Sequence, residues 1–275
     1  MNTRTRKVLV LASRYIIALA AVAFFFFPIF WIIMTAFKGG GELYRNPPVW
    51  VPSEFTLRQF GRVLEQHVFK SLSDSLLIAG SSTLFALLIG SLAAYGLARY
   101  KVGGDNLPFF ILSQRFMPPV ALIFPFLLFF KMLKWMDSHQ AVIIMHLTFN
   151  LPYAVWMMRG FFQEIPREIE ESALVDGCTP LGAFWRIALP LVQPGLVATG
   201  VFCLLFSWTE FFFALTLTKT SVVPMSVYIA RFFGATVTSV GAIGAASVLS
   251  TLPLFILGFI VQRYLVRGLT LGAVK

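Results

Sequence analysis

The chain has 275 residues, of which 58% are hydrophobic and only 12% charged, and its formal net charge is +10. That balance excludes an ordinary soluble globule, which carries about a quarter charged residues. Two cysteines, Cys178 and Cys203, suggest neither a disulfide framework nor a metal site.

The charged residues leave long gaps, at 15–37, 75–98, 116–130, 138–158, 187–209 and 232–262. A spanning helix needs about 20 mostly apolar residues, so five gaps suffice alone. The third suffices if it starts near Pro108 and tolerates Arg115. Backbone polar groups must pair internally in lipid, and runs of this length fit helices rather than barrel strands. The fold class expected is therefore all-α integral membrane, with spans near 15–37, 75–98, 108–130, 139–159, 195–218 and 241–262, forming one membrane domain over 1–275.

Met1 to Ala23 resembles a signal peptide, but Arg14 interrupts it and the apolar run continues to Phe37, which favours an uncleaved first helix. Six spans put both termini on one side. Twelve Lys and Arg fall on that side and nine on the other, and Arg4, Arg6, Lys7 and Arg14 before the first span favour a cytoplasmic N-terminus. The segment 38–74 opens as irregular loop with Gly39-Gly40-Gly41 and Pro47-Pro48. The spacing of Leu57, Phe60, Val63, Leu64 and Val68 then predicts a short amphipathic helix over 57–71, lying on the membrane surface.

The second span carries Ala86, Gly90, Ala94 and Ala98 at four-residue spacing, and the sixth carries Ala242, Ala246 and Ser250. Such stripes let a neighbouring helix approach closely. Pro118-Pro119, Pro125 and Pro152 predict kinks in the third and fourth spans. No internal repeat of the kind found in many secondary transporters is visible.

Between the fourth and fifth spans the chain turns acidic. From Glu164 to Asp176 there are five acids (Glu164, Glu168, Glu170, Glu171, Asp176) against one base, Arg167. A local net charge of −4 in a basic protein suits docking of a basic partner. Pro166 suits a first helical turn, early acids suit the helix dipole, and Gly177 suits a helix end. Thr179 then caps, Pro180 restarts a second short helix, and Pro190 is expected to stop it.

These residues carry a resemblance. Glu171-Ser172-Ala173, three residues, Gly177, nine residues, then Ile187-x-Leu189-Pro190 resembles the cytoplasmic loop signature of permease subunits of bacterial ABC importers. The one departure is Ser172 where the pattern has alanine. Asp176-Gly177-Cys178-Thr179-Pro180, Pro194-Gly195 and the ending Arg267 to Lys275 are similar to the carbohydrate branch, in particular the six-span partners of maltose-type and polyol- or glycerol-type importers. The resemblance covers nearly the whole chain.

It implies that segment 164–190 is a cytoplasmic coupling helix docking into a separate ATPase, through Glu170, Glu171, Ser172, Ala173, Asp176, Gly177, Phe184, Arg186, Ile187, Leu189 and Pro190. It implies a bacterial inner-membrane location. The implied partners are two nucleotide-binding ATPase subunits, a second permease, a periplasmic or lipid-anchored solute-binding protein and a sugar, with no nucleic acid. The tail Thr270 to Lys275 and the outer loop 219–239, with Pro224, Met225, Tyr228, Arg231 and Phe232, would face the ATPase and the binding protein respectively. The sequence contains no Gly-x-x-x-x-Gly-Lys-Ser/Thr, so ATP and magnesium would belong to the partner ATPase; the chain is expected to hold no cofactor and no metal, and not to be an enzyme.

Arg115 and Glu210 lie at membrane depth, where charges face a bundle interior or water. Two roles are open to each, lining a sugar path or tying helices together. Gln114, His146, Asn150 and Trp208 are further candidates for sugar contact. The rival function is an ion-coupled secondary transporter, for which Glu210 is the one suitable intramembrane carboxylate.

Overall fold

The computed structural model describes residues 3–100, 102–234 and 239–271, with side-chain surroundings for 11–100, 102–234 and 239–262. All regular structure among them is helical. Among the described residues four helices are long and apolar enough to cross a membrane, or six if each of two bent helix pairs counts as one crossing. The residues fall into two compact units, 1–68 with 229–252 and 69–228 with 253–275.

In the first unit, α1 (Thr3–Phe37) begins well before the predicted span, and none of its most apolar window is buried within the chain. Its end is tightly packed. A Cβ on Gly244, in the last helix, Val240–Leu271, would lie 3.0 Å from the Ala36 backbone, so glycine is what permits the approach. Ala242 and Ala246 are buried as expected, with Ser250 half-buried. The amphipathic helix is shorter than predicted: α2 covers only Arg58–Glu65, and Val68 opens the next helix. His67, at φ 60°, breaks the two apart. Leu57 and Leu64 are exposed, while α2 buries Val63 and Gln59, whose amide donates to the Lys38 carbonyl at 3.3 Å.

The second unit is built on α3 (Val68–Tyr100) and α6 (His139–Glu164). The small-residue stripe of α3 is its packing face. A Cβ on Gly90 would come within 2.9 Å of the Ala154 Cβ, and Ala86 packs with Ala154 and Cys203. The predicted third span is two helices rather than one. α4 (Asn106–Ser113) runs into a tight turn at Gln114–Phe116, and α5 (Pro119–Met132) follows at 86°. A residue before proline avoids the helical region, and here two succeed one another, leaving Met117 at ψ 132° and Pro118 at ψ 128°.

The predicted fifth span is also interrupted. α10 (Gln193–Thr209) ends at Glu210, whose ψ is 130°, and α11 (Phe212–Leu217) restarts with the Glu210 carboxylate accepting from the Phe213 and Ala214 amides at 2.8 and 3.0 Å. That carboxylate supplies the acceptors a new helix start needs.

At the end of the unit opposite the acidic loop, Asp137 fixes the segment after α11. Its carboxylate accepts from the backbone N–H of Lys219, Thr220, Ser221 and Val222 at 2.8–3.2 Å. Asp74 accepts from Val223, and Ser75 from Met225. Consequently Pro224, Met225 and Tyr228, expected to face a binding protein, are buried; Phe232, which belongs to the first unit, is buried too. Arg231 is exposed, and 235–238 of that loop lie outside the described residues. Burial pushes the Asp137 carboxyl up, but the four donors more than offset it and hold it well below the usual range. A depressed folded value means its stabilisation is complete above the ordinary aspartate pKa of about 3.9 and is lost as pH falls through the folded value. Asp137→Ala is expected to raise amide exchange of 219–222 by about tenfold or more at neutral pH, read by hydrogen–deuterium exchange, with α6 protection unchanged.

Candidate functional site: an acidic helical hairpin

The segment between α6 and α10 folds as a hairpin of two short helices. α7 (Arg167–Val175) follows Pro166, one residue later than expected, within ordinary boundary scatter. It ends in a doubly bonded cap, with the Cys178 amide on the Ala173 carbonyl at 2.9 Å and the Gly177 amide on Leu174 at 3.1 Å. This closure requires a left-handed residue, and Gly177 stands there at φ 89°. The Thr179 hydroxyl then accepts from the Gly182 amide at 3.1 Å and caps α8 (Pro180–Ala183).

Pro190 does not stop the second limb. A π-turn at Phe184–Ala188 precedes α9 (Leu189–Leu191), and the Leu189 amide reaches back five residues to Phe184. A proline clashes with the carbonyl four residues earlier and has no N–H for it. The wider turn just before Pro190 accommodates that, so helix persists to Leu191 before bending by 78° into α10.

What holds the hairpin to the unit is a buried ion pair. Glu170 is 5% exposed, and both its oxygens accept from Arg99 Nε at 2.9 and 3.0 Å, with Arg99 Nη2 on Oε1 as well. The Tyr95 hydroxyl donates to Oε2 at 2.8 Å. Arg99 Nη2 also reaches the Ile165 carbonyl, and Arg167 returns a hydrogen bond to the Arg99 carbonyl. Around this link Tyr95, Phe162 and Phe184 meet at centroid distances of 5.1–6.0 Å, with Ala188 and Val192 closing the cluster.

The eleven residues expected to touch an ATPase therefore divide. Glu170, Ala173 and Phe184 are buried within this chain, and Ile187 and Leu189 half-buried. Glu171, Ser172, Asp176, Gly177, Arg186 and Pro190 are exposed. The Ser172 hydroxyl bonds back to the Glu168 carbonyl at 2.7 Å, so the departure from alanine is absorbed by the helix itself. Apolar side chains share the open face: Ile169 and Leu174 are 43% exposed, Leu181 59%, and Val175 at the tip 87%. An apolar edge among Glu168, Glu171 and Asp176 is the surface this hairpin offers. The sequence pointed to the loop but not to Arg99 and Tyr95. The signal available was the first basic residue after the uncharged run 75–98.

The candidates for a sugar path lie elsewhere, at the contact of α6 with α10 and α11. His146 Nε2 is 3.2 Å from Glu210, and the Asn150 amide donates to Ser207 Oγ and the Cys203 carbonyl at 2.8 and 3.1 Å. Ser207 in turn bonds Ser82 at 2.7 Å. Arg115 stacks over Phe206 at 4.1 Å and Tyr153 at 4.9 Å, and has its hydrogen bond on the Phe149 carbonyl. Trp208 is buried, whereas Gln114 is exposed and bonds its own helix. These contacts tie helices together, and in that group His146 Nδ1 and Asn150 Oδ1 stay buried without a partner among the described residues.

Residues 86–271 match the family model described as binding-protein-dependent transport system inner membrane component. The chain belongs to that family. It is 37% identical over 256 residues to a probable ABC transporter permease protein, y4oR, of Sinorhizobium fredii, covering 91% of each chain. It is 32% identical to the diacetylchitobiose uptake permease DasC of Streptomyces coelicolor and to the trehalose/maltose transport permease MalG of Thermococcus litoralis, in each case covering 90% of this chain and 91% of the other. The crystal structure of a bacterial ABC transporter that imports alginate contains a chain of the same fold, with TM-score 0.79, 21% identity, and coverage of 96% of this chain and 99% of that one. This permease is thus a multi-pass inner-membrane transport component.

Removing one partner of a buried ion pair leaves an uncompensated charge, at a cost of about 3–5 kcal/mol. Arg99→Met is expected to lower the thermal unfolding midpoint of the purified complex. The double substitution Arg99→Met/Glu170→Leu should recover most of that loss, since a well-packed apolar pair is often near neutral in stability.

Proposed function

We propose that this permease is one membrane subunit of an ATP-driven importer that moves a sugar or sugar-like solute inward. Segment 164–190 hands on the motion of a separate ATPase. The observation that carries the reading is the split within the hairpin. Its inner side, Glu170 and Phe184, is locked onto α3 and α6, while its outer edge presents Glu171 and Asp176 around Val175 and Leu181. An element bound firmly on one side and open on the other can transmit displacement.

On this reading the hairpin and both termini face the cytosol. The edge docks two ATPase subunits' worth of motor together with a second permease's equivalent, ATP and magnesium are bound by the ATPase, and a periplasmic or lipid-anchored binding protein delivers solute at the far end. The two compact units act as one transmembrane domain. The tail from Thr270 meets the ATPase, although 272–275 lie outside the described residues. Sugar as the cargo rests on the names of the chitobiose and trehalose/maltose relatives. Against ion coupling stands the use of Glu210, whose oxygens already serve His146 and two backbone amides.

Glu171→Arg reverses a charge on the docking edge, and Gly177→Val forces an L side chain into the left-handed region. Each is expected to reduce solute-stimulated ATPase activity of the assembled complex by about tenfold or more while membrane insertion stays normal. Wild-type stimulation in Glu171→Arg would show that the edge is not the docking surface.

A further inference from the structure

Beside the root of the hairpin is a polar cavity of about 370 Å³ lined by Arg99, Arg159, Arg167, Gln163 and Asp105, among others. Three guanidinium groups border it against one carboxylate. Arg99 is committed to Glu170, and Arg167 donates to the Arg99 carbonyl. Among the described residues Arg159 holds only Asp105, at 3.0 Å, and the Asp105 side chain is 97% exposed, so water screens that pair. Arg159 Nε is buried and donates to nothing among the described residues. A buried N–H without an acceptor is costly, and such groups normally have one.

The chemistry of an acceptor follows from the lining. Arg99 and Arg159 each face a carboxylate, so the remaining excess is the exposed Arg167. A tetrahedral phosphate answers that charge and offers further oxygens to Arg159 Nε, more strongly than a neutral occupant would. The position of the cavity adds a second argument. Arg99 stands in the last turn of α3 and Arg159 near the end of α6, with Trp156 exposed one turn earlier. Phe109 and Phe110 are exposed on α4, which packs along α6. Exposed aromatics followed by part-buried arginine is the arrangement expected where a helix leaves the acyl region for the headgroups.

We propose that this cavity binds a phosphate group, supplied either by the headgroup of an acidic phospholipid or by a phosphate anion in solution. The site stands on its arginines; only its assignment to the inner leaflet rests on the orientation proposed above. Binding is read without ATPase activity, so its failure is distinct from a failure of coupling.

The test uses the complex co-purified with its partner subunits. One arm counts phosphatidylglycerol retained from mixed phosphatidylcholine–phosphatidylglycerol nanodiscs by native mass spectrometry. The other titrates inorganic phosphate into the complex in pure phosphatidylcholine discs. Arg159→Gln is expected to weaken binding roughly tenfold in whichever arm shows it, and Asp105→Asn, which removes the competing carboxylate, to strengthen it. Retained phosphatidylglycerol identifies the lipid, and phosphate binding in neutral discs identifies the soluble anion. The proposal is overturned if both arms give the same binding for wild type and Arg159→Gln, or, should that variant fail to assemble, if Asp105→Asn leaves binding unchanged.

Discussion

The hairpin depends on one buried carboxylate. Glu170 is withdrawn from water on a helix that is otherwise mostly outward-facing, and Arg99 and Tyr95 surround its carboxylate with donors. A charge in such a place costs several kcal/mol unless it is paired and fully hydrogen-bonded. The pairing therefore does more than add stability. It fixes which face of α7 turns inward, because any rotation about the helix axis would strand both charges. The remaining acids, Glu168, Glu171 and Asp176, are thereby assigned to the open edge.

The rest of the hairpin follows from that orientation. With α7 fixed, the cap at Gly177 sets the direction of the return limb, and Thr179 starts it at once. Phe184 then falls against Tyr95 and Phe162, which makes the second limb part of the same core. The π-turn before Pro190 carries that limb onward to α10, so the loop connects mechanically to the helix that follows as well as to α3 and α6. A rigid body attached to three helices can move them together when it is pulled, which is what coupling to a motor requires.

The sequence made much of this legible. Long uncharged runs located the apolar helices, four-residue spacing of small residues identified the packing face of α3, and Pro166, Gly177 and Thr179 marked the hairpin. The breaks were harder to read. Pro118-Pro119 predicts a kink, yet two consecutive residues disfavoured from the helical region make an 86° turn. Glu210 read as an intramembrane charge, but its carboxylate restarts a helix that periodicity alone would have run through. Pairings between distant segments were not readable. Nothing local distinguishes Glu170 from Glu171, and only the placement of Arg99 against α7 separates the anchoring acid from the exposed one. The same holds for Asp137, whose four amide partners lie more than 80 residues away.

The central claim is that α7 and α3 move as one body. In a background with Cys178→Ser and Cys203→Ala, spin labels at Val175 and Leu84 would report it, both sites being exposed. Leu84 stands about 22 Å along α3 from Arg99 at 1.5 Å per residue. Electron–electron distance measurement on the assembled complex, with and without ATP, should give the same distribution within about 2 Å, while labels on α7 and its counterpart in the second permease draw together. A change between Val175 and Leu84 on ATP binding would contradict the account, because it would mean that the hairpin slides on α3 rather than carrying it.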